Sequence, residues 1–129
     1  IGVIDTQDAL IGNPTYDLVS LVDDVRIKTS KKLKHQIYNY YLKNTDSIYR
    51  INSKKFMEDF NILSVQRSLK IIGIFARLFK RDKKKQYLKL IPRTWKLLED
   101  RVDTPLFLEL KKILDTNIKK KIRKKIILK

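Results

Sequence analysis

Asp5 stands directly after the short apolar run Ile1-Gly2-Val3-Ile4, and Asp8 follows it three residues on. An acid at the end of a buried strand is held rigidly and faces whatever cleft lies there. Magnesium is a hard cation that prefers carboxylate oxygen and bridges protein to nucleotide phosphates. One such aspartate, with a second side chain and the phosphates, is a common way to hold it. Alone, the same pattern reads first as a turn-forming or capping aspartate, so the surrounding residues must decide. A third acid, Asp17, falls in the first turn of an expected helix, where the helix dipole favours it by about 0.3–1 kcal/mol. Further along, Gln66, Lys70, Gly73 and Arg77 recur at four-three-four spacing, which sets them on one helical stripe with Arg67 beside it. Apolar residues flank that stripe on both sides. It reads either as a narrow solvent-facing strip or as the polar wall of a ligand cleft.

The elements that must position these residues are nearly all helical. Residues 1–4 read as a strand and residues 6–12 as a loop. Asn13-Pro14 is a helix start, with Asn as N-cap and Pro at the first helical position. Leu18, Leu21, Val22 and Val25 then carry that helix to about Lys28. Ser30 is the next N-cap, opening a helix with Leu33, Ile37, Tyr40 and Tyr41 on one side and an end near Asn44. A polar connection over residues 45–52 leads to Ser53, which can cap a long third helix bearing Phe56, Phe60, Leu63, Leu69, Ile72, Phe75 and Phe79. Gly73 is its one potential breaker. After the charged turn of residues 80–85, Tyr87 to Ile91 reads as a helical turn or two. Pro92 restarts a helix through Trp95, Leu97 and Leu98. Thr104-Pro105 repeats the start signal ahead of Leu106, Leu110, Ile113 and Leu114. Ile118, Ile122 and Ile126 recur by fours in a lysine-rich terminus, which permits a basic amphipathic helix, although fraying is expected at such a charged end. The expected fold is mainly α, about six helices entered by one short β-strand, with residues 1–115 as the lobe and 116–129 as a basic tail. A four-residue strand needs pairing partners for its backbone groups. None is read in this sequence, so an N-terminal part is expected to be missing.

Composition narrows the function classes. The chain has 129 residues, 43% of them hydrophobic, enough for one domain with a real core. No apolar run approaches the roughly 20 residues of a membrane span, and Asp5 and Asp8 interrupt anything resembling a signal peptide. The absence of cysteine excludes thiol catalysis, disulfides and thiolate zinc sites, and is compatible with a cytoplasmic location. The formal net charge is +16, from 30 Lys and Arg against 14 Asp and Glu. Such a balance raises nucleic acid or an anionic membrane as partner. The lysines, however, are scattered through every segment, do not cluster with aromatics on one face, and accompany no reader motif. A compositional bias filling exposed positions is the favoured reading.

The pattern Ile4-Asp5-x-x-Asp8-Ala9 followed by Gly12-x-Pro14-x-Tyr16-Asp17-Leu18 resembles the segment after the catalytic loop in aminoglycoside phosphotransferases and their relatives. It is similar above all to the bacterial cell-wall sugar kinases of that superfamily, which act on N-acetylmuramate or N-acetylglucosamine. The resemblance extends through Gln66-Arg67-Ser68-Leu69-Lys70-Ile71-Ile72-Gly73-Ile74-Phe75-Ala76-Arg77 to Tyr87-Leu88-x-Leu90-Ile91-Pro92-Arg93-x-Trp95, in order, over roughly residues 1–100.

It implies the helical C-terminal lobe of a protein-kinase-like fold, and a complete protein that transfers the γ-phosphoryl group of ATP or another nucleoside triphosphate to a sugar hydroxyl, with Mg²⁺. Asp5 would be the magnesium ligand, although Thr6 departs from the aromatic residue common beside it. Asp17 would support the catalytic loop and Asp8 would brace it. Gln66, Arg67 and Lys70 would contact the acceptor amino sugar. Trp95 and Tyr38, Tyr40, Tyr41 and Tyr87 could stack on sugar rings, but their helical spacing reads first as core. The family's His-x-Asp-x-x-x-x-Asn loop and nucleotide-binding lobe are not in this sequence. His35 lies on a charged helix and is expected at the surface. The chain alone is therefore expected to be inactive, with the nucleotide-binding lobe as its missing partner. Two other readings stay open: a basic helical nucleic-acid-binding module, and an inactive remnant of a split kinase gene.

Overall fold

In the computed structural model the chain is described over residues 11–49 and 52–125, with the backbone alone at 46–49. The strand expected at residues 1–4 and the acids Asp5 and Asp8 lie outside the described residues. Within them the chain is mainly helical, as expected, and contains no strand. The helices are α1 (Thr15–Val22), α2 (Lys31–Tyr49), α3 (Ser53–Asp82), α4 (Ile91–Val102), α5 (Leu108–Asn117) and α6 (Lys120–Arg123). Short 3₁₀ turns at Lys85–Leu90 and Pro105–Phe107 lead into α4 and α5.

Local side-chain chemistry sets the boundaries, and in several places moves them from where periodicity puts them. Asn13 acts at the start of α1 as expected, since its Oδ1 accepts from Thr15 N at 2.9 Å, but the residue preceding the helix is Pro14. The helix ends at Val22, not near Lys28. Asp23 leaves helical geometry, and Asp24 Oδ1 accepts from the Arg26 amide at 2.7 Å, an Asx turn that competes with further helix. α2 opens as expected, with Ser30 Oγ accepting from Leu33 N at 3.2 Å. It continues to Tyr49 instead of stopping near Asn44. Asn44 and Thr45 donate to the carbonyls of Tyr40 and Tyr41, both at 2.7 Å, so neither polar side chain diverts the backbone. The cap of α3 is Asn52 and not Ser53: its Oδ1 accepts from Lys54 N (2.9 Å) and Lys55 N (3.1 Å).

α3 packs against both α1 and α4 and serves two cores. Its first half joins Leu18, Val19 and Val22 of α1 and Tyr38 of α2 through Phe56 and Phe60. The Tyr38 and Phe60 rings meet edge to face with centroids 4.8 Å apart. The buried face of α2 thus runs through Tyr38, and Tyr40, which periodicity places inward, is 73% exposed. The second core gathers Val65 of α3, Trp95, Leu98 and Val102 of α4, Phe107, and Leu114 of α5. In the basic terminus residues 120–123 are helical, and residues 126–129, with Ile126, lie outside the described residues. Arg123 of α6 is buried, its guanidinium lies 5.0 Å from the Trp95 ring centroid, and it donates to Glu99 (3.1 Å), Asp115 (2.8 Å) and the Ile118 carbonyl (2.8 Å). No helix among the described residues is long and apolar enough to cross a membrane.

Candidate functional site

Asp23, at the end of α1, is 5% exposed. It follows Val19 by four residues and so occupies the next position of the buried face of α1. Its carboxylate accepts from Lys34 Nζ on α2, from Ser64 Oγ on α3 at 2.7 Å, and from Arg101 Nη2 on α4 at 3.2 Å. Arg101 also donates to Tyr38 Oη at 2.9 Å and to Asn61 Oδ1 at 3.2 Å, with its guanidinium 5.1 Å from the Phe60 ring centroid. One carboxylate therefore joins four helices. Burial works to raise the Asp23 carboxyl, but the Arg101 charge and the donors Lys34 and Ser64 outweigh it and hold the group below the ordinary carboxylate range. Burial pushes the Tyr38 phenol up, and the neighbouring Arg101 only partly counters it.

Beside this network opens a cavity of about 650 Å³, within the roughly 300–1,000 Å³ usual for small-molecule sites. Lys34, Tyr38 and Arg101 of the network form one wall, and Val22, Ile27 and Leu97 give it apolar surface. The α1–α2 loop supplies Asp24 and Lys28, α2 supplies Lys31 and His35, and α4 supplies Arg93, Lys96 and Asp100. The loop is shaped from both sides. Asp24 takes a two-point contact from Arg26 (3.1 and 2.6 Å), while Arg93 Nη2 donates to the Ile27 carbonyl. The Arg26 hydrogen bond holds the Asp24 carboxyl low against a burial effect that would raise it, and the charge of Arg67 adds to this. Such a lining offers positive charge and hydrogen-bond donors on an apolar floor, which suits recognition of hydroxyls and anions.

The residues singled out in the sequence fall elsewhere. Asp5 and Asp8 lie outside the described residues. Asp17 is exposed in the first turn of α1, and Gln66, Lys70, Gly73 and Arg77 are all exposed along α3. Arg67 is half-buried, 5.9 Å from the Tyr16 ring centroid, and its Nε is buried without a hydrogen-bond partner among the described residues. Thus α1 and α3 bring Arg67 beside Tyr16 and within the field of Asp24, whereas Gln66 and Lys70 point away. None of Gln66, Arg67 and Lys70 lines the cavity. Trp95 and Tyr38 are core residues, and His35 is exposed as expected. Among the described residues no group of three or more His, Cys, Asp or Glu could hold a metal ion. Periodicity missed Asp23, Lys34 and Arg101. The available signal was an acid standing in the apolar register of α1.

No protein-family model matches the chain. Curated relatives do. An N-acetylmuramate/N-acetylglucosamine kinase of Pseudomonas aeruginosa is 40% identical over 105 residues, covering 78% of this chain and 31% of that protein. Its namesake from Caulobacter vibrioides is 33% identical over 111 residues, 86% of this chain and 30% of the relative. That of Neisseria meningitidis serogroup B is 40% identical over 95 residues, 71% of this chain and 28% of the relative. The chain spans less than a third of the length of these relatives, and over most of its own length it is similar to one stretch of the N-acetylmuramate/N-acetylglucosamine kinases.

Proposed function

We propose that this chain is the helical, acceptor-binding portion of a cell-wall amino-sugar kinase of the aminoglycoside phosphotransferase superfamily. The single observation that carries the reading is the 40% identity over 105 residues with a kinase named for N-acetylmuramate and N-acetylglucosamine. In the complete protein a nucleotide-binding lobe would supply ATP or another nucleoside triphosphate and the catalytic base, and the transfer would run in the cytoplasm, where the nucleotide is. Asp5 would hold magnesium, with Asp8 and Asp17 supporting the adjoining loop. Residues 1–115 form the lobe in this reading, and 116–129 its basic tail. Without the nucleotide lobe the chain transfers no phosphate.

Two surfaces compete for the acceptor. The stripe of Gln66, Arg67 and Lys70 is polar but open. The cavity beside Asp23 is concave, has an apolar floor and gathers donors from three elements, which favours it as the place where a sugar is bound. Arg67 then supports the cavity rim from behind, through its charge near Asp24.

The test is a chimera in which this chain replaces the matching stretch of the Pseudomonas aeruginosa kinase. Phosphoryl transfer to an amino sugar is expected, and Asp5→Asn should lower its rate by at least about 10²–10³-fold, the scale of losing one preorganised electrostatic contact to the transition state. Full activity of the Asp5→Asn chimera would sink the assignment of the metal ligand. A folded but inactive parent chimera would sink the kinase reading.

A further inference from the structure

We propose that the cavity selects a carboxylate-bearing acceptor, with Lys28 and Lys31 recognising the anion, so that N-acetylmuramate is bound in preference to uncharged N-acetylglucosamine. This rests on the placement of the acceptor in the cavity and adds to it the residues that set specificity. Six cationic side chains line the cavity, against two carboxylates, Asp24 and Asp100. Both acids are engaged, Asp24 by Arg26 at 2.6 Å and Asp100 by Lys96 at 3.8 Å. Lys34 and Arg101 are tied to the buried Asp23, and Arg93 is tied to the Ile27 carbonyl. Lys28, Lys31 and Arg93 have no carboxylate partner among the described residues, and the two lysines also lack the backbone bond that fixes Arg93. Both line the cavity and are exposed.

Exposed lysines without a carboxylate partner occur throughout the described residues, and these two differ from the rest in lining this cavity together. The first turn of α2 contains no acid, although the positive end of a 19-residue helix favours one. Lysines there add like charge to the helix end, an arrangement that an anion in the cavity relieves. Lys34 and Arg101 share the single carboxylate of Asp23, so the wall gives shape and donors and keeps one positive charge behind Lys28 and Lys31. A neutral sugar would use the apolar floor and the donors alone. An anionic one gains charge-assisted hydrogen bonds, roughly twice as strong as neutral ones.

The experiment titrates the isolated chain, followed by amide NMR shifts, with N-acetylmuramate and with N-acetylglucosamine at low salt. N-acetylmuramate is expected to bind about tenfold more tightly, the factor set by a modest difference in interaction free energy. The preference should shrink as salt is added, and fall below about twofold in Lys28→Gln/Lys31→Gln, through a larger loss of affinity for N-acetylmuramate than for N-acetylglucosamine. Equal affinities in the unaltered chain, or a preference that survives the double substitution, overturn the selectivity and leave the acceptor placement standing. If neither sugar shifts amides around the cavity in a chain whose spectrum is folded, both the placement and the selectivity fall. Shifts confined to Gln66 and Lys70 would assign the acceptor to the α3 stripe instead.

Discussion

Asp23 is an acid set in the register of a core, and its environment makes its charge a condition of folding. Its neighbours Lys34 and Arg101 have side chains only 17% exposed, so neither can be fully hydrated if the carboxylate is neutralised. Asp23→Asn keeps the shape and removes the charge. It should cost about 3–5 kcal/mol, the range for breaking a buried pair from one side, read as a shift of the urea midpoint at neutral pH. The pH dependence has a definite sign. The folded-state pKa lies below the ordinary value of 3.8, so the stabilisation is complete above that value and is lost as pH falls through the lower folded value. The parent chain should therefore lose stability steeply at the acid end, and the Asn variant less so. A substitution that leaves both the midpoint and the acid limb unchanged would show that the network contributes nothing. Spacing offered a signal for Asp23 itself, its place in the apolar register of α1, but none for its partners, which lie 11, 41 and 78 residues away in sequence. Gln66 and Lys70 were readable as a stripe that left a solvent-facing strip and a ligand wall both open, and Asp17 as a first-turn acid; the structure exposes all three.

Among the elements, α3 follows its sequence most closely. Phe56, Phe60 and Phe75 are buried on its inner side, as their spacing predicts, and the helix runs 30 residues through Gly73 without a break. A Cβ added at Gly73 meets nothing within 4 Å, and the position is exposed. Gly73→Ala should then stabilise the chain by about 0.5–1 kcal/mol, because alanine loses less backbone entropy in a helix. A rise in the thermal midpoint checks this, while a fall would mean that something packs on that face of α3. The other helices show what periodicity cannot weigh. α1 stops six residues early because Asp24 offers the backbone an Asx turn. α2 runs past Asn44 because Asn44 and Thr45 satisfy themselves on the helix's own carbonyls. In each case a side-chain hydrogen bond of local origin outvotes the apolar pattern.

Across the molecule, two cores share α3, and Arg123 ties the basic end of the chain to the second of them. Its contacts span α4, α5 and α6, and it covers Trp95, the chain's one tryptophan. Arg123→Ala removes these bonds together with the packing on the indole. Because Glu99 and Asp115 are about a third exposed (31% and 35%), water can take over part of their charge. The expected loss is about 1–3 kcal/mol, with Trp95 emission moving to longer wavelength as the ring is wetted. Unchanged emission and an unchanged midpoint would show that α6 does not rest on the tryptophan.

The sequence by itself determined that the chain is helical, where most helices begin, and which kinases it resembles. Those properties rest on caps, prolines, apolar spacing and ordered motifs, all local in the chain. The tertiary structure alone decided where a cavity opens. A buried carboxylate, its cations and the cavity beside them come from four helices distant in sequence, and only packing brings their charges close enough to act on one another.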